Sequence, residues 1–190
     1  MTRATRLLRA DARRNRDRIL DAAGALFAQR AGAVQMDEIA ERAGLGMGTL
    51  YRHFPTKQAL LGAIVARRFS AMAELARAAE EIEDPGQAFE TLLTTYLAAA
   101  RSDAAYRYVL LGPDKPAWAD VAEQKAEFSA IAERVLARAA TAGRVRDDLT
   151  FADFILITRG VMSNMSEEED WRRHLALTLD GIRAPAGRQR

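Results

Sequence analysis

QMDEIAERAGLGMGTLYRHFPTKQAL, residues 35–60, decides how this chain folds. Ile39, Ala40 and Ala43 recur at helical spacing and make one apolar face. Gly44 follows, where a left-handed backbone residue closes a helix at little steric cost. A second short helix comes next, anchored by Leu50 and Phe54 at i and i+4. Phe54 precedes Pro55, which disfavours helical geometry there and stops the helix. The other side of this helix carries Met47, Gly48, Thr49, Tyr51, Arg52 and His53. A short helix anchored on one side, with small and hydrogen-bonding groups on the other, suits a DNA major groove.

Within that stretch, AGLGMGTLYRHFPTKQAL resembles the helix-turn-helix signature of the TetR/AcrR-type transcriptional regulators. The likeness continues upstream through RDRILDAAGALFAQRAG, so residues 13–65 are covered. It implies an all-α fold of nine helices: a three-helix N-terminal head holding the helix-turn-helix, and a six-helix body that binds an effector and dimerises. Family members bring backbone and short side chains at the start of the recognition helix against bases and phosphates. That role falls here on Met47, Gly48 and Thr49. Tyr51 and His53 have the reach for backbone oxygens, and Arg52 for a phosphate or a guanine edge. Lys57 resembles the family's phosphate-contacting lysine, and the helix N-terminus beside it adds amide donors. Core packing is the competing reading of Tyr51, and an ordinary solvated side chain that of His53.

One departure stands out. The family usually places Thr or Ser before the second helix, where the hydroxyl caps it and touches phosphate. Gln35-Met36-Asp37 stands here instead, so either the Gln35 amide makes the contact or this anchor is weaker. Arg13, Arg14, Arg16 and Arg18 precede and open the first helix. They are expected to act as a flexible arm that tracks phosphates or enters the minor groove, against the plainer reading of a solubilising tail.

The chain has 190 residues and a net charge of +2. The charge is unevenly spread: residues 1–70 carry 13 Lys/Arg against 6 Asp/Glu, whereas the remainder is acidic overall. A basic front and an acidic back point one end towards a polyanion. Cysteine is absent, which excludes disulfides and thiol chemistry and favours a cytoplasmic location. No apolar run approaches the roughly 20 residues that cross a bilayer, and the basic N-terminus lacks the apolar core of a secretory signal.

Ile19, Ala22, Ala23, Leu26 and Phe27 define a first amphipathic helix ending near Gly32. After the helix-turn-helix, Thr56 caps a long helix with the apolar stripe Leu60, Leu61, Ile64, Val65, Phe69, Met72 and Leu75. Asp84-Pro85-Gly86-Gln87 starts another helix by a capping Asp and a Pro at the first helical position. Asp103 caps a short helix with Tyr106, Val109 and Leu110, and Gly112–Pro116 makes a loop. A helix from about Trp118 stops at Gly143. Thr150 and Asp153 start the penultimate helix, and Trp171, Leu175, Leu179 and Ile182 share a face of the last. These signals divide the chain into an arm and head over 1–55, a body over 56–183 that shares the helix from 56 as its link, and a tail over 184–190.

RAATAGRVRDDLTFADFILITRG, residues 138–160, resembles a subclass of TetR-type C-terminal domains. Candidate effector-pocket residues are Met72, Phe89, Tyr96, Tyr106, Tyr108, Trp118, Phe128 and Met162, with Arg101 or Arg107 for an anionic effector. Ordinary core packing is the other reading of each. Phe151, Phe154, Ile155, Thr158, Met162, Trp171, Leu175, Thr178 and Ile182 are expected to pair with their symmetry mates in a homodimer. Two recognition helices about 34 Å apart would then match a palindromic operator in double-stranded DNA. The function expected is a repressor released by a small-molecule effector; the alternative is a regulator without an effector that uses its body for protein contacts or activation. An enzyme is not supported. His53 and His174 are the two histidines, and neither has a nucleophile and a carboxylate in recognisable spacing. No cofactor or metal is expected, and the acidic run Glu167–Asp170 reads as a solvated link.

Overall fold

The computed structural model describes residues 3–30, 34–103, 106–107, 121–165 and 170–183. Eight helices account for most of them: α1 Arg3–Arg30, α2 Met36–Arg42, α3 Met47–His53, α4 Lys57–Glu80, α5 Pro85–Ser102, α6 Ala122–Thr141, α7 Phe151–Ser163 and α8 Trp171–Ile182. The only extended pairing among the described residues is an isolated bridge between Val145 and Arg183, so the fold is all-α. Of the ninth helix expected after Asp103, only Tyr106 and Arg107 are described, and both are helical. The Asp103 carboxylate accepts from the Tyr106 amide at 2.9 Å, which is the expected cap. The Gly112–Pro116 loop lies outside the described residues.

Local signals set the helix ends. Thr56 accepts from the Ala59 amide at 3.1 Å, and Asp84 from that of Gln87 at 2.8 Å. Thr150 and Asp153 form a reciprocal capping box: the Thr150 hydroxyl accepts from the Asp153 amide at 3.2 Å, while the Asp153 carboxylate accepts from the Thr150 amide at 2.8 Å. At the end of α2, Gly44 adopts φ +61°, with Leu45 N–H bonded to Ala40 O and Gly44 N–H to Glu41 O, both at 2.9 Å. Gly143 (φ +65°) closes α6 by the same double bond pattern. This is the Schellman closure that a residue without Cβ makes cheapest.

The chain separates into two compact units, one from Met1–Arg67 with Asp103–Val121, the other from Arg68–Ser102 with Ala122–Arg190. In the first, α1 packs on α2 and α2 on α3. Ile19, Ala23, Phe27, Ile39, Leu50, Phe54 and Leu60 fill its core. Asp21 and Arg67 tie α1 to α4 at 2.7 Å, an exposed pair that adds little stability. The first helix begins well before the point expected. Arg13, Arg14, Arg16 and Arg18 are helical rather than part of a flexible arm, because Arg, Ala and Leu are good helix formers and no Gly or Pro interrupts 3–23.

In the second unit, α5 packs on α6 and α7, and α7 on α6 and α8. Its centre is aromatic. Phe128 meets Phe69, Tyr96, Phe151 and Phe154 at ring-centroid distances of 5.6–6.2 Å, and Tyr96 meets Phe154 edge-on at 5.5 Å. Each such contact adds about 0.5–1.5 kcal/mol to the burial of the rings. Thr158, fully buried, satisfies its hydroxyl by donating to the Phe154 carbonyl at 2.9 Å.

Candidate nucleic-acid interface

The first unit presents α3 as a seven-residue helix. A helix that short is unstable alone, so its orientation comes from packing. Leu50 is its buried residue, and Phe54, directly after it, is 2% exposed. The Gly44 turn sets the angle at which α3 leaves α2, and Arg18 reinforces it by donating to the Gly44 carbonyl at 3.3 Å. The guanidinium of Arg16 covers the Phe54 ring at 5.0 Å.

Opposite the anchor, Met47 (38% exposed), Gly48, Tyr51 (45% exposed) and Arg52 face outward. Thr49 and His53 are half-buried at the edges of this face. Tyr51 is therefore not a core residue. Arg52 lies along the helix surface: Nε donates to the Gly48 carbonyl and a terminal nitrogen to the Thr49 hydroxyl, both at 3.0 Å. A Cβ built on Gly48 meets nothing within 4 Å. The fold itself gives no reason for glycine at that position, and glycine inside a helix costs up to about 1 kcal/mol against alanine. The bare backbone there leaves room for something from outside.

The remaining candidates flank this face or lie apart from it. Lys57 is half-buried in the first turn of α4, with Nζ 5.9 Å from the centre of the Phe27 ring. Gln35 is exposed, and its amide donates to the Glu38 carboxylate at 2.9 Å. That backbone bond, followed by the Arg30 guanidinium, holds the Glu38 carboxyl below its ordinary value. Arg13 and Arg14 are exposed on α1, and Arg14 is paired with Asp11.

Most of the candidate effector-pocket residues are buried. Met72, Phe89, Tyr96, Phe128 and Met162 are all buried in the second unit, and Tyr96 and Phe128 spend their rings on each other. Phe89 also lines an open cleft of about 420 Å³ with Gln87, Arg144, Val145, Leu179 and Ile182. Across that cleft Arg144 pairs with Asp84 at 2.9 Å. Tyr106 is fully buried, Arg107 half-buried and Arg101 exposed. Tyr108 and Trp118 lie outside the described residues.

Among the residues picked for the dimer face, Phe154, Thr158, Met162, Trp171, Leu175 and Ile182 are buried within the single chain. Phe151, Ile155 and Thr178 are half-buried. The large apolar residues that α7 and α8 leave outside are Leu156, 71% exposed, and Leu177, 53% exposed, which the periodicity did not single out. An inward face already complete without them is the signal that would have found them. Among the described residues no cluster has the makings of a metal site, and no helix is long and apolar enough to cross a membrane.

Two family models match the chain. Residues 19–64 fit that of bacterial regulatory proteins, tetR family, and residues 84–184 that of the transcriptional regulator SbtR-like C-terminal domain. A TetR transcription regulatory protein from Mycobacterium vanbaalenii, known from its crystal structure, is 37% identical, with a TM-score of 0.63 over 93% of this chain and 99% of its own. The transcriptional repressor KstR of Rhodococcus jostii is 55% identical over 56 residues, which are 28% of this chain and 26% of KstR. FadR from Bacillus subtilis, solved in complex with stearoyl-CoA, shares the fold at 16% identity and a TM-score of 0.70, over 87% of this chain and 98% of its own. The chain spans less than half the length of the curated relatives it matches.

Proposed function

Because the chain belongs to the tetR family of bacterial regulatory proteins and is a DNA-binding transcriptional regulator, we propose that it represses transcription as a homodimer on a palindromic operator. The observation that carries this is the outward face of α3: Met47, Tyr51 and Arg52 around a glycine the fold does not need. Gly48 lets the backbone approach the groove floor, Thr49 and Met47 offer methyl groups to thymine, and Tyr51 donates its hydroxyl to a phosphate. Arg52 exchanges its bond to the Thr49 hydroxyl for a phosphate or a guanine edge. Gln35, His53 and Lys57 secure phosphates on either side, and Arg13 adds charge from α1, whereas Arg14 is already engaged with Asp11. The likeness to the repressor KstR over 56 residues supports the sign of regulation.

The dimer face we assign to the outer side of α7 and α8, centred on Leu156 and Leu177, with Ile155 and Thr178 at its margin. The homodimer carries two copies of α3, one for each half of a palindromic operator. A small-molecule effector binds the second unit and releases the operator. It does so only as far as it prefers the state that does not bind DNA. A second reading, regulation without an effector, draws on the aromatic cluster of that unit, where Tyr96, Phe128, Phe151 and Phe154 occupy the interior ring against ring.

The test is selection of duplexes from a random-sequence pool, followed by anisotropy titration. A palindromic consensus bound by two subunits, with affinity lost on Tyr51→Ala and Arg52→Ala, is the expected result. Binding with no sequence preference, or an operator held by one subunit, would overturn the proposal.

A further inference from the structure

The start of α5, the turn after α6 and the close of α8 enclose the open cleft of about 420 Å³, within the size range of small-molecule sites. Its walls are fixed by the backbone. Gly143 turns the chain out of α6 at φ +65°. Val145 then pairs with Arg183 in the antiparallel bridge, and the Arg146 amide donates to the Ile182 carbonyl at 3.0 Å. Arg144 and Arg183 thus reach the cleft from two segments stitched together by main-chain contacts. Phe89, Val145, Leu179 and Ile182 supply the apolar part of its lining.

Arginine side chains at a surface are ordinarily loose, but Arg144 is seated. A Cβ built on Gly86 stands 3.1 Å from Cγ and 3.3 Å from Cβ of Arg144, so the arginine stem lies against bare backbone in the first turn of α5. Asp84 takes its guanidinium at 2.9 Å. Arg183 reaches Glu90 at 3.3 Å and Asp180 at 2.6 Å. The charges of Asp84, Glu90, Arg144 and Arg183 around the cleft cancel, but their hydrogen-bonding capacity does not. Both oxygens of Asp84 are engaged, one with the Gln87 amide at 2.8 Å and the other with Arg144. Arg144 spends one N–H group on these acids and Arg183 two, and a guanidinium has more to give. What is left at the cleft is rich in donors, held in planar forks that suit a carboxylate. Exposed ion pairs add little to stability, so the fold itself gains little from two arginines here.

We propose that this cleft binds a compact organic monocarboxylate, its carboxylate taken by the guanidinium groups of Arg144 and Arg183 and its apolar body lying against Phe89, Val145, Leu179 and Ile182. A lining neutral overall favours a single negative charge with apolar surface over a strongly hydrated dianion such as sulfate. A molecule seated there touches α5, the α6–α7 turn and α8 together, and stabilises the second unit by mass action. Binding here is independent of the reading of α3 and of operator release, because it is measured on the chain without DNA.

The experiment is equilibrium dialysis of the full chain against radiolabelled benzoate. Saturable binding is expected with a Kd of about 1 mM or tighter, within reach of a ligand of roughly nine non-hydrogen atoms. Arg144→Gln and Arg183→Gln should each weaken it at least about tenfold, the scale of one lost charge-assisted hydrogen bond. Gly86→Ala, which removes no charge but displaces the Arg144 stem, should weaken it by a smaller factor. Arg77→Gln breaks a comparable exposed pair, with Glu127 on α6, and should leave binding unchanged. Benzamide, neutral and of equal size, and sulfate, charged but without an apolar body, should each bind at least about tenfold more weakly. No saturation by about 10 mM benzoate, or a Kd unmoved by both arginine substitutions, would overturn the proposal. Benzamide binding as tightly as benzoate would reduce the cleft to an apolar crevice, and sulfate binding as tightly would reduce it to an anion site; either result also overturns it.

Discussion

Replacing Gly48 with alanine should stabilise the protein and weaken operator binding at once. Gly48 is exposed in the first turn of α3, and a Cβ there points into open space. The new methyl group therefore costs nothing inside the chain and removes backbone freedom from the unfolded state. Glycine to alanine within a helix is worth about 0.5–1 kcal/mol, and the lower end applies near a terminus. For a unit of this size that is a rise in midpoint of about 2–4 °C. If the bare backbone admits a base pair at van der Waals distance, the same methyl holds the groove away and forfeits interactions worth about 1–3 kcal/mol, or roughly 5- to 150-fold in affinity. Gly24 supplies the control, because it too has open space around its Cβ position but belongs to α1 and not to α3. Gly24→Ala should raise the midpoint by a similar or larger amount and leave binding unchanged. Circular-dichroism melts and anisotropy titrations on the selected operator read both quantities. A Gly48→Ala protein that binds as tightly as its parent, whatever its midpoint, refutes the idea that this position is glycine for the sake of an approaching groove.

Four further outcomes follow from the same geometry. Gly44→Ala forces a side chain onto φ +61° and sets its Cβ 2.8 Å from the Arg18 guanidinium, so the head should lose about 1–2 kcal/mol by denaturant titration; unaltered stability would mean that the turn relaxes freely. Leu50→Ala removes the buried anchor of α3, with an expected cost of about 3 kcal/mol and loss of amide protection in α3, whereas Leu50→Met, nearly equal in volume, should cost under about 1.5. Leu156→Asp with Leu177→Asp, both exposed in the single chain, should give a folded monomer by sedimentation that no longer binds the palindrome; a persistent dimer would place the interface elsewhere. The Thr150 hydroxyl and then its amide hold the Asp153 carboxyl below its ordinary value. The stabilisation from this group is thus complete above the unfolded carboxylate range and is lost as pH falls below about 4. Thermal melts of Asp153→Asn should show a shallower acid limb than the parent, and identical limbs would remove Asp153 from the account.

Helix ends and the helix-turn-helix were legible because their causes are local. A glycine at C′, a hydroxyl or carboxylate at the N-cap and a proline after Phe54 each act within four residues, and Gly44, Gly143, Thr56, Asp84 and Thr150 all do in the structure what their positions imply. The long arginine-rich helix at the front was missed for a related reason. It has no apolar repeat before Ile19, and helix propensity alone is a weak signal.

Periodicity marks the apolar side of each helix but leaves open what that side meets. The stripe on α7 and α8 reads equally well as core or as subunit contact, and the folded chain spends Phe154, Thr158, Leu175 and Ile182 on its own interior while leaving Leu156 and Leu177 outside. The aromatic residues of the second unit went the same way, stacked on one another around Phe128. Chain chemistry alone settled that α3 is short, anchored at Leu50 and polar outside, since those properties belong to neighbouring residues. Which apolar surfaces remain for a partner or a ligand was settled by three-dimensional packing, because burial is a property of the neighbours that distant segments supply.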